Sequence, residues 1–244
     1  MERYFQVMTN VARIGPNGRM GHLMVQARYS WTDENQLCVE IRLSSTEAIA
    51  LDVVNRCLVN LAGHGAGSKK LTDHIVAINA EEENSTKVGS IFDLRFPTRL
   101  TKGRLYRVPG GGYDHDFPIA SSTSDRWCHR LHARVEHPES GRFLEVSSNQ
   151  PSLRFYTAND LSEVGSPSIR SPVGPRPRCS RLVFSEAPRM KGGVICRRHG
   201  GFLLAPRPLE DGRPFLLLPG RVLLHETIYC FGTLSTPQKR LTML

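Results

Sequence analysis

The stretch Tyr29-Ser30-Trp31-Thr32-Asp33-Glu34-Asn35-Gln36-Leu37-Cys38-Val39-Glu40-Ile41-Arg42-Leu43 decides the fold. Leu37, Val39, Ile41 and Leu43 alternate with Cys38, Glu40 and Arg42, the period-two pattern of a strand with one buried face. Thr32-Asp33-Glu34-Asn35 is turn-forming, because Asp and Asn side chains bond nearby backbone. Residues 23–31 therefore read as the partner strand of a hairpin. The pattern recurs further along. Leu131, Ala133 and Val135 alternate with His132, Arg134 and Glu136, and Pro138-Glu139-Ser140-Gly141 turns the chain into a strand over 142–147. Residues 214–218 and 221–231 flank a Pro219-Gly220 turn. No window carries a helical period. Short strands joined by Gly/Pro turns predict an all-β chain, a large antiparallel sandwich forming a single domain over residues 1–244.

Three segments stand apart. Residues 165–190 hold Pro167, Pro172, Pro175, Pro177 and Pro188, which cannot donate to a ladder, and read as a long disordered loop. Residues 235–244 read as a basic tail, and residues 1–20 show little pattern.

The hydrophobic content of 39% is enough for a core. Apolar runs such as 215–218 fall far short of the ~20 residues of a membrane span. Met1-Glu2-Arg3-Tyr4-Phe5 has no apolar secretory stretch. The expectation is a soluble, cytoplasmic monomer with no membrane partner. Six cysteines without a framework spacing fit reduced thiols. In 165–190, Arg170, Arg176, Arg178, Arg181 and Arg189 face only Glu186, which is net +4 of the chain's +9. A single aromatic, Phe184, lies among them without a basic-aromatic alternation, so the charge reads as a solvated basic surface and not a nucleic-acid site. A nucleic-acid role through this segment would show as affinity falling steeply with salt.

Cys128, His129 and His132, and the Cys196/His199 pair, raise the question of zinc. Strand residues three apart face opposite sides, and the Cys/His pair lacks a second pair, so no metal is expected. The run from Gly63 to Lys70 lacks the G-K-[ST] order of a phosphate loop and reads as a flexible hairpin loop. A better site candidate is the set Gly112-Tyr113-Asp114-His115-Asp116-Phe117, Asn149-Gln150-Pro151 and Phe155-Tyr156-Thr157. Sugar hydroxyls need planar acceptors and donors, and sugar C–H faces need aromatic contact, which these types supply at strand ends. Taken alone, Asp114 also fits a cap on the glycine turn and Gln150 an ordinary strand-end amide.

These blocks and others resemble, in order, the galactose mutarotase (aldose 1-epimerase) family over roughly residues 21–231. Tyr29 to Leu37 resembles "YTLTDDNEL" and Val59-Asn60-Leu61-Ala62-Gly63 resembles "FNLAG". Asp73-His74, Ile78-Asn79-Ala80 and Ile91-Phe92-Asp93-Leu94-Arg95 follow in family order. Gly112 to Phe117 resembles "GYDHNF", Ser140 to Val146 "SGRVLEV", Gln150 to Asn159 "QPGVQFYTGN", and Lys191 to Phe202 "KGGVVYQRHSGF". The resemblance implies a β-sandwich that binds a free hexose, galactose or glucose, and interconverts its anomers. A histidine acid and a glutamate base open the ring, and neither cofactor nor metal takes part. Asp114 and Gln150 then stand at positions that hold sugar hydroxyls.

The same alignment places Arg56 at the acid histidine of "TNHSYFNLAG" and Ala205 at the base glutamate of "HSGFCLETQ". Arginine keeps its proton at any working pH and alanine has none to exchange. Losing one acid–base partner costs ~10²–10⁴ in rate, so epimerase activity is expected to be weak or absent. The alternative is a non-catalytic carbohydrate-binding or regulatory protein in which Arg56 bonds hydroxyls or a sugar phosphate. The family's upstream contacts, an Asn-Arg pair and a histidine, precede the matching region, so the expected sandwich is incomplete at its N-terminus.

Overall fold

Alternation along residues 37–43 becomes the centre of a wide sheet in the computed structural model, which describes residues 2–14, 21–81, 89–119, 128–161, 193–208 and 214–234. The 165–190 segment and the 235–244 tail lie outside the described residues. In chain order the strands are β1 (Glu2–Ile14), β2 (Gly21–Thr32), β3 (Gln36–Ser45), β4 (Ile49–Leu51), β5 (Leu58–Val59), β6 (Ile75–Ile78) and β7 (Thr98–Arg99). After helix α1 (Lys102–Arg107) come β8 (Asp114–Pro118), β9 (Arg130–His137), β10 (Arg142–Ser148), β11 (Ser152–Tyr156), β12 (Phe202–Arg207), β13 (Phe215–Leu217) and β14 (Val222–Thr233). Among the described residues they form an eight-stranded sheet, β1-β2-β3-β14-β10-β9-β6-β7, a four-stranded sheet, β5-β12-β11-β8, and the pair β13-β4. No helix among the described residues is long and apolar enough to cross a membrane.

The predicted hairpin is present, with Trp31 opposite Leu37 and Ala27 opposite Ile41. Val39, Ile41 and Leu43 point into the core, where they meet Leu223 and Tyr229 of β14 and Val135, Leu144 and Val146 of β9 and β10. Phe117, Leu153, Phe155, Phe202 and Leu204 of the small sheet close the same core from the other side. That is the two-layer arrangement expected when each sheet has one apolar face to cover.

Four local readings differ from the structure. Residues 2–14, which carry little pattern, form β1 because backbone pairing with β2 needs no alternation; Phe5, Val7 and Val11 stay exposed. Residues 64–66 and 68–73 form two 3₁₀ turns in place of an open hairpin loop. The strands flanking Pro219-Gly220 do not pair with each other: β13 pairs with β4, while β14 inserts between β3 and β10. On β9, Val146 faces Ala133 but Ser147 faces Leu131, so His132 is an extra, bulged residue. The bulge shifts the phase of the alternation, leaving Leu131 exposed and His132 fully buried.

Candidate functional site

The small sheet has two unlike faces. Leu153 and Phe155 point into the core, so Arg154 and Tyr156 point the other way. Arg154 lies between Ala205 on β12 and Asp116 on β8, and Tyr156 lies opposite Asp114. Two steps along β12 from Ala205, Arg207 shares the same face. The resulting charged ladder is continuous. Arg154 donates from Nε to Asp114 Oδ1 at 2.9 Å and from Nη1 to Asp116 Oδ2 at 3.2 Å, and its Nη2 lies 2.6 Å from Asp114 Oδ1. Arg207 donates from Nη1 to Asp116 Oδ1 at 2.8 Å and from Nε to Asp52 Oδ1 at 3.0 Å, with Nη2 on Asp52 Oδ2. The order is Asp114–Arg154–Asp116–Arg207–Asp52.

Both arginines are almost wholly buried, with side chains 9% and 3% exposed, so these pairs hold desolvated charge in place. Burial opposes the Arg207 charge, yet Asp52 and Asp116 outweigh it and raise its pKa. Burial raises the Asp114 carboxyl, against the pull of Arg154. Burial also pushes Tyr156 up to about 12, so it remains a neutral hydroxyl that accepts from the Asp160 N–H at 3.2 Å.

Segment 52–58 brings Arg56 to this face. Asp52 is tied to Arg207 at one end of β12, and Leu58 pairs with Leu203 near the other. Between them Val54 packs on the small cluster that includes Tyr156, Leu203 and Ala205. Asn55 donates to Tyr229 Oη at 3.2 Å and pins the segment to β14. Arg56 is half-buried. Its pKa is lowered by that burial and then by the charges of Arg154 and Arg207, with Asp52 and Asp114 acting in the opposite direction. Among the described residues no hydrogen-bond or ion-pair partner lies on it.

The turn that aims Asp114 is heavily tied. Arg104 of α1 donates from Nε to Tyr113 Oη at 2.7 Å, and Tyr113 Oη donates to Ile91 O at 2.7 Å. Tyr113 N–H donates to Thr157 Oγ1 at 2.9 Å, and Asn159 Nδ2 donates to Tyr113 O at 2.8 Å. A Cβ on Gly112 would sit 2.0 Å from Asn159 Oδ1, which explains the glycine. Asp114 N–H donates to His115 Nδ1 at 3.0 Å, and the His115 ring packs tilted against Phe92 at 4.6 Å between centroids, so His115 packs the loop.

Of the residues singled out from sequence, Asp114, Arg56 and Ala205 come together. Gln150 does not join them. The ladder puts Pro118 opposite Ser152 and Asp114 opposite Tyr156, so Gln150 lies beyond the far end of β11, four or more rungs (~13 Å) away. Its Nε2 donates to Asn149 Oδ1 at 2.6 Å and Leu224 O at 3.2 Å, and the side chain is buried. It ties the β10–β11 turn to β14. The residue beside Asp114 is Arg154, which sequence reasoning passed over. The signal was in the motif: the second glutamine of "QPGVQFYTGN" falls on Arg154.

The residues weighed for zinc have other contacts. His129 meets Glu226 Oε2 at 3.0 Å, while His132 points into the core. His199 Nε2 lies 2.9 Å from Gly111 O, bracing the glycine turn.

The profile of the aldose 1-epimerase family matches residues 12–230. Galactose mutarotases of Bos taurus and Homo sapiens are 30% identical to this chain over 242 residues, covering 91% of it and 62% of their own length. Among solved structures, the GalM/aldose epimerase homologue from C. elegans superposes with a TM-score of 0.66 at 18% identity, over 95% of this chain and 66% of that one. Galactose 1-epimerase from Lactobacillus acidophilus superposes at 0.62 with 17% identity, over 94% and 62%. The chain belongs to the aldose 1-epimerase family. It spans 62% of the length of the mutarotases it matches.

Proposed function

We propose that this chain is a hexose-binding member of the family in which anomer interconversion is near the uncatalysed rate. The hexose, galactose or glucose, would lie on the outward face of the small sheet, between Asp114 and Arg56. One observation carries the reading: the position assigned to the base is Ala205, buried directly opposite Arg154, whose guanidinium covers Asp114. Position 205 itself offers no carboxylate to take the C1 proton, and the guanidinium of Arg56 does not cycle its proton near neutral pH. Binding without turnover follows, as a monomeric single domain needing no cofactor or metal.

Polarimetry of fresh α-galactose tests the catalytic half. The expected trace follows the blank to within about tenfold; a rate of ordinary enzyme size, abolished by Asp114→Ala, would overturn the proposal. Calorimetric titration with galactose tests the binding half, and the absence of heat at millimolar sugar would remove it.

A further inference from the structure

We propose that this face selects an anionic monosaccharide, whose carboxylate or phosphate group pairs with Arg56. The inference rests on the hexose reading above and narrows it. Two guanidinium forks already account for the three carboxylates of the ladder: Arg154 takes Asp114 and one oxygen of Asp116, and Arg207 takes Asp116 and both oxygens of Asp52. Arg56 is the third cation on the face, and among the described residues it has no ion-pair partner of its own.

The ladder and Arg56 together balance in charge, but they do not balance at Arg56. Arg154 and Arg207 act on it more strongly than Asp52 and Asp114 do. Arg56 therefore sits, half-desolvated, in a locally positive field. The segment carrying it is held at both ends, by Asp52 on Arg207 and by Leu58 on Leu203, which keeps the guanidinium beside the face. An unpaired, partly buried guanidinium is costly, and a planar bidentate anion is its best complement. A neutral hexose would leave that requirement unmet.

The test is calorimetric titration of the full chain with galactose, galacturonate, galactose 6-phosphate and inorganic phosphate. At least one anionic sugar is expected to bind about tenfold or more tightly than galactose, the size of one charge-assisted pair. The two sugar arms distinguish a carboxylate from a phosphate. Arg56→Gln should bring the anionic sugars down to the level of galactose, and Arg56→Lys should keep part of the preference, with thermal unfolding showing both variants folded. Equal affinity for galactose and both anionic sugars overturns this inference and leaves the hexose reading standing. Silence with every sugar overturns both. Survival of the preference in Arg56→Gln, or inorganic phosphate binding as tightly as the sugars, also overturns it.

Discussion

Acidification is expected to unfold this protein well above the range where carboxylates titrate. His74, His132 and His225 are each 0% exposed. Burial, the largest influence on each, lowers their pKa values from 6.5 to about 4, about 3 and about 4. His74 shows how the neutral form is fixed: Nε2 accepts the Leu61 N–H at 3.0 Å, and Nδ1 donates toward Lys70 O and Leu71 O, both at 3.1 Å. The sign follows from proton counting. Once unfolded, each ring gains a proton below its ordinary value, whereas the folded form resists until its own depressed value. The stability from these groups is complete above pH ~6.5 and drains away as pH falls toward ~4. At pH 5 each ring contributes a loss of ~2 kcal/mol, ~6 kcal/mol for the three, against a typical total of ~5–15 kcal/mol. Asp114, raised by burial, acts in the opposite direction and softens the loss. Urea titrations followed by the fluorescence of Trp31, which stacks on Phe231, measure it. The midpoint should fall steeply between pH 7 and pH 5, and His132→Leu should shrink that fall by about a third. A midpoint constant across this window would refute the claim that the rings are held neutral by burial.

Other expectations follow from the same coordinates. Arg154→Ala leaves Asp114 without its guanidinium and Asp116 with Arg207 alone, and should cost about 2–4 kcal/mol in chemical denaturation, reduced from the fully buried case because both carboxylates are partly solvated. Gly112→Ala should cost about 1–3 kcal/mol, since the added carbon meets Asn159 Oδ1 and the turn must open; a neutral change would mean the turn is looser than described. Restoring the chemistry by Arg56→His with Ala205→Glu should fail in polarimetry, because a carboxylate at 205 lies directly opposite Arg154 and would be captured as an ion pair. Adding Arg154→Gln should release it and raise the rate by about tenfold or more over the double variant; a double variant as fast as the triple would show that Arg154 does not block the site.

The sheets were legible because burial imposes a period of two wherever one face is covered, as along Leu37–Leu43. The His132 bulge was not, since an inserted residue leaves composition unchanged and only shifts which face later residues occupy. The strand β1 was hidden for the opposite reason: with little buried on either face, it leaves no alternation to read. At the site, Asp114 could be found from its glycine turn and Arg56 and Ala205 from their departures. Gln150 was misplaced because a motif fixes order along the chain, whereas proximity depends on which rung of β11 faces β8. Arg154 and Arg207 lie on different strands, and Asp52 precedes Arg207 by 155 positions. A network assembled over that separation has no local signature.

The matching motifs act mainly as staples, which accounts for a chain that keeps the family's frame while altering its site. Asn60 of the "NLAG" block donates to Gly200 O at 3.0 Å in the block that precedes β12. Leu61 of that block donates to His74 and accepts from Ser140 Oγ and Arg142 Nη1, both at 3.0 Å. Thr157 and Asn159 hold Tyr113. Each contact satisfies a buried or partly buried backbone group, so losing one partner leaves the other short of a bond. Those positions are constrained by folding whether or not a sugar is ever turned over. Arg56, Arg154 and Ala205 lie on the other face of the small sheet, where Ala205 packs in the Tyr156 cluster and the arginines answer to local charge balance. There Arg154 and Arg207 close the partly exposed carboxylates of Asp114, Asp116 and Asp52, an arrangement set by charge pairing across three strands' worth of chain and not by any local motif.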